Sequence, residues 1–147
     1  MCDILVVVDV DATLGETSVD RVCQIEDRIV SQWREISATE KHQLRDRVDE
    51  ILRPLGLQTR LIVLERANSI AVFFVCMTLS ALASLRDQWS SGQLRDIVES
   101  LFTFISDAKR PVRVQRLTWP LTDYETSLKF FTHARNKETF RQGMFLA

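Results

Sequence analysis

Two hydrophobic periods alternate along this chain. Residues 4–10 are a valine-rich apolar run too short for a helix and suited to a strand covered on both faces. A turn-forming segment with Gly15 follows, and apolar positions then recur at Val19, Val22, Ile25, Ile29 and Trp33, which is helical spacing. Ser37 and Glu40 have the spacing of a capping box, so a second helix is predicted to start there and to bury Leu44, Val48, Ile51, Leu52 and Leu55. Pro54 and Gly56 should end it, because proline cannot continue the hydrogen-bond ladder.

Residues 57–66 and 70–77 are β-branched or aromatic runs joined by a short polar turn, which predicts an antiparallel hairpin. Helical spacing returns through Leu82, Leu85 and Trp89, breaks at Ser90-Ser91-Gly92, and resumes at Leu94, Ile97, Val98, Leu101, Phe102 and Ile105. Residues 111–119 alternate apolar with polar, as a strand with one solvated face does, and Pro111 at their start suggests a sheet edge. Thr122 and Glu125 form a second capping-box pattern before a short helix carrying Leu128 and Phe131. The polar stretch 133–147 is predicted to be a weakly ordered tail, leaving 1–132 as one interaction domain.

This order predicts an α+β domain: an α/β sandwich whose four-stranded antiparallel sheet is of the split βαβ (ferredoxin-like) type, with helices mainly on one face. A chain of 147 residues that is 46% hydrophobic is long enough to bury such a core.

Charge and chemistry remove function classes more than they add them. With 19 basic and 20 acidic residues, no broad field favours nucleic acid or an anionic membrane. The three cysteines, Cys2, Cys23 and Cys76, lack metal or redox spacing, and reduced thiols in the cytoplasm are expected. The N-terminal residues lack the basic start of a secretory signal. His42 and His133 are far apart, with no ligand spacing, so no metal and no cofactor are expected. Four glycines without a phosphate-loop pattern give nucleotides no cradle. The sharpest catalytic candidate is Asp9 with Asp11 after the first strand, where phosphatases place a nucleophile and a metal ligand, but no later acidic pair completes a magnesium site. The chain is therefore expected not to be an enzyme.

In residues 70–77 both alternating sets are apolar, and residues 4–8 behave alike. If helices cover one face of the sheet, the other presents apolar side chains, which on a soluble domain marks a protein interface.

The segment 82–98, with Trp89, Gly92 and Leu94 at the break between two helices, followed by 111–117 and the acidic Asp123-Tyr124-Glu125, resembles the TRADD N-terminal domain family of TRAF-binding adaptors. That resemblance implies a non-enzymatic, cytoplasmic docking module of innate immune or cell-death signalling, with a TRAF-type domain or a second copy as partner. It places the partner surface at Leu5 and Val7 on the first strand and at Glu65, Ala67 and Ala71 at the hairpin, with Phe73 on the same strand as Ala71. The other reading of the same architecture is a small-molecule-sensing regulatory domain that dimerises.

Overall fold

A computed structural model describes residues 2–10, 19–38, 42–66, 69–106 and 111–146, without the side chains of 19–23, 37–38, 42–43, 63 and 134–146. The elements run β1 (Cys2–Val10), α1 (Val19–Ala38), α2 (His42–Leu52), a 3₁₀ turn (Arg53–Leu55), β2 (Thr59–Arg66), β3 (Ile70–Cys76), α3 (Leu79–Ser91), α4 (Gln93–Ser106), β4 (Val114–Thr118) and α5 (Leu121–Leu146). The protein is α+β, with an open antiparallel sheet in the order β2-β3-β1-β4.

Ile4, Val6 and Val8 of β1 stand opposite Phe74, Val72 and Ile70 of β3, and all six are buried. Opposed residues on antiparallel strands share a face. That face carries the core with Ile29, Val30, Trp33 and Ile36 of α1, Leu82 and Leu85 of α3, and Leu94, Val98, Leu101 and Phe102 of α4.

Local signals explain the joints. Thr78 caps α3 by accepting the amide of Ala81 at 3.1 Å. Gly92 ends α3 in the left-handed region at φ 89, which lets α4 start one residue later. A Cβ at Gly92 meets nothing within 4 Å, so the cost of Gly92→Ala is conformational alone. It is expected to be about 1 kcal/mol by urea unfolding. Trp89 donates its indole N–H to the Leu117 carbonyl at 3.0 Å, and Leu94 is buried, so the three residues at this break each have a folding role.

Three expectations are corrected. Ser37 lies in the last turn of α1, which continues to Ala38, and α2 begins at His42; residues 39–41 of the proposed cap lie outside the described ones. Thr122 lies inside α5, whose first turn is instead closed by the Pro120 carbonyl, accepting the amides of Asp123 at 3.1 Å and Tyr124 at 3.2 Å. Last, α5 does not stop near Phe131 but runs to Leu146. Its second half has no proline, and Ala134, Arg135, Lys137, Glu138, Arg141 and Gln142 are good helix formers, so helix propensity continues where the apolar stripe fades. The stripe itself, Tyr124, Leu128 and Phe131, packs against the core.

Candidate functional site

The residues of β1 and β3 that alternate with the core set define the opposite face of the sheet. Register places Arg60, Val75 and Asp3 in one row across β2, β3 and β1. Val63, Phe73 and Leu5 form the next row, and Glu65, Ala71, Val7 and Thr118 the third, reaching β4. Of the residues expected at a partner surface, Leu5, Val7, Glu65, Ala71 and Phe73 are thus neighbours on one face. Ala67 lies outside the described residues.

These side chains differ in what they offer. Leu5 is 42% exposed, whereas Ala71 is 8% and Val75 6% exposed. Val7 and Phe73 are half-buried, and Glu65 is exposed. None of Leu5, Val7, Ala71, Phe73 and Val75 belongs to the core cluster under the helices. The apolar surface is therefore narrower than strand alternation alone suggests, since of these five apolar residues only Leu5 is exposed.

Edge strand β2 carries a further exposed apolar residue that strand alternation does not single out. The β2–β3 register shifts between Leu61 and Val63, leaving Ile62 without an opposite residue. Leu61 packs against the core and Leu64 is buried in it, while Ile62 between them is 49% exposed. An extra residue on an edge strand twists the edge and discourages uncontrolled strand pairing, and here it also turns an isoleucine outward.

The C-terminal ends of β1 and β2, at one end of the sheet, hold a charged cluster. Arg66 donates from Nη1 to Glu26 Oε2 and from Nε to Asp27 Oδ1, each at 2.9 Å, tying β2 to α1. Burial pushes the Glu26 carboxyl above its usual range; Arg66 opposes this by charge and hydrogen bond, and Asp9 and Asp27 push it further up. Asp9 accepts a hydrogen bond from the Ser69 hydroxyl. Both neighbours of β1 are antiparallel, so Asp9 does not stand at the end of a parallel strand as a phosphatase nucleophile does; Asp11 lies outside the described residues. Among the described residues no group of three or more His, Cys, Asp and Glu side chains is placed to hold a metal ion.

The remaining candidates are plain. His133 is exposed on α5, and the His42 side chain lies outside the described residues. Cys76 is buried, which raises its thiol pKa, and it stands directly opposite Cys2, a proximity that spacing in the sequence does not reveal. Both are free thiols. A groove of about 680 Å³ opens where Ile51 and Arg47 of α2 approach α4 and residues 111–113. Two of its polar side chains are already engaged: Thr103 accepts the Val112 amide at 2.8 Å and Glu99 the Val114 amide at 2.9 Å. Among the described residues no helix is long and apolar enough to cross a membrane.

No family model, no curated protein and no solved structure matches this chain. The chain is an α+β domain with an open antiparallel sheet, one face of which packs against helices while the other is partly apolar.

Proposed function

We propose that the chain is a non-enzymatic protein-docking module that receives another polypeptide on the second face of its sheet. We further propose that its fold is of the split βαβ type, which the order β2-β3-β1-β4 supports, and that it serves as an adaptor of the kind found in the TRADD N-terminal family. The single observation carrying this reading is Leu5, 42% exposed on the face away from the core cluster and in register with half-buried Phe73. Leaving such side chains in water forgoes stabilisation that burial under a partner supplies, about 25 cal/mol per Å² of apolar surface covered.

Leu5→Asp tests it. With a TRAF-type domain as titrant, the substitution is expected to weaken binding at least about tenfold, since a desolvated unpaired carboxylate costs several kcal/mol at an interface. Stability by urea unfolding should change by less than about 1 kcal/mol, because Leu5 lies outside the core. Unchanged binding, or a collapse of stability, rejects the reading.

A further inference from the structure

We infer that, when no TRAF-type domain is bound, the occupant of this face is a second copy of the chain, docked sheet to sheet about a two-fold axis running across the strands at the level of Phe73. The inference rests on the docking role of this face and specifies the partner.

The argument is charge placement. Arg60 and Glu65 both lie on the edge strand β2 and both are exposed. Neither has an ion-pair partner among the described residues. Their register partners on β3 are Val75 and Ala71, which lie symmetrically on either side of Phe73. At about 3.3 Å per residue, the two charges sit roughly 13 Å apart with Phe73 midway. In a closed two-fold dimer the same patch appears on both sides, so each residue must meet its mirror position across the axis. An axis across the strands at Phe73 therefore brings Arg60 against Glu65 of the second copy, and Glu65 against its Arg60. The same operation lays Leu5 on Leu5 and Phe73 on Phe73. A chain whose rim carried two like charges at these positions would repel its own copy. Asp3, in the row of Arg60, has no such complement: it falls opposite Val7.

The footprint is modest. Four strands at about 4.8 Å spacing and three rows give a patch well below the roughly 800 Å² per partner of a standard interface, so the dimer is expected to be weak, in the micromolar range.

Sedimentation equilibrium of the full chain from about 1 to about 200 µM, bracketing that affinity, provides the test. The wild type should associate to a dimer. Arg60→Glu alone and Glu65→Arg alone should each weaken it about tenfold, because two attractive contacts become two repulsive ones. An equimolar mixture of these two variants should form a heterodimer, and the double variant should recover self-association, since both arrangements restore opposite charges. Asp3→Asn should tighten it. Circular dichroism controls for folding, and recovery in the mixture cannot arise from misfolded components. A wild type that stays monomeric, single variants that associate normally, or a mixture no better than its parts overturns the inference. If the wild type is monomeric while Leu5→Asp still abolishes TRAF-type binding, self-docking fails and the docking role stands; if neither association responds, both fall.

Discussion

Trp119→Ala is expected to lower the unfolding free energy by about 4 kcal/mol in urea titration. Trp119 is 2% exposed and sits just past the end of β4, where three elements converge. Its ring meets Trp89 of α3 edge-on at 6.5 Å and Tyr124 of α5 at 5.6 Å. The Arg86 guanidinium lies 4.0 Å from the Trp89 ring centre and 5.0 Å from those of Trp119 and Tyr124. Arg86 also donates to the Trp119 carbonyl at 2.8 Å. The loss therefore combines a cavity in the core with removal of one of the surfaces on which the cation and Tyr124 rest. Trp119→Phe keeps part of the ring contact and should cost less than half as much. A loss below about 2 kcal/mol for the alanine variant contradicts this account, because it would mean that the site collapses to fill the void.

Arg66→Ala is expected to cost about 3 kcal/mol at neutral pH, and the cost should shrink as the pH falls toward 4. Glu26 is 5% exposed and Arg66 25%, so removing the cation leaves a buried carboxylate facing Asp9 and Asp27. Asp27, 66% exposed, contributes little to the difference. The direction of the pH effect follows from the carboxyl's raised pKa. Relative to the unfolded chain, neutral Glu26 stabilises the fold fully below its ordinary value of 4.5, and that contribution is lost as the pH rises through the higher folded-state value. Without Arg66 the folded-state value rises further, so stability falls more steeply between acid and neutral pH. Urea unfolding at several pH values should show the two proteins converging in acid and separating toward pH 7. Adding Glu26→Gln to Arg66→Ala should remove most of that steepening; parallel profiles for wild type and Arg66→Ala would reject the assignment.

Much of the scaffold is legible from the order of residues alone, and particular positions show why. The stretch 4–10 has too few residues for a stable helix and too many branched aliphatics to prefer one, so it reads as a strand whatever surrounds it. The break at Gly92 is equally local, since only a residue without a Cβ enters the left-handed region there cheaply. Helix starts are less local: Ser37-x-x-Glu40 and Thr122-x-x-Glu125 have cap spacing, yet Ser37 still lies within α1, which runs to Ala38, and α5 begins at Leu121, before Thr122. Cap spacing specifies what a helix end accepts, while packing of the neighbouring turns decides where that end falls.

The candidate surface divides the same way. Alternation places Leu5, Val7, Ala71 and Phe73 on one side of the sheet, because the side-chain period of a strand is two wherever the strand lies. How open each one is depends on its surroundings in the folded sheet, where Ala71 is buried and Leu5 is exposed. The bulge that exposes Ile62, the meeting of Arg66 with Glu26, the pairing of Cys2 with Cys76 and the row that sets Arg60 and Glu65 about Phe73 all join residues from separate strands or helices. The period and the turn chemistry are properties of neighbours along the chain and are written in the sequence. Register, screening and charge placement are properties of neighbours in space, and only the folded sheet decides them.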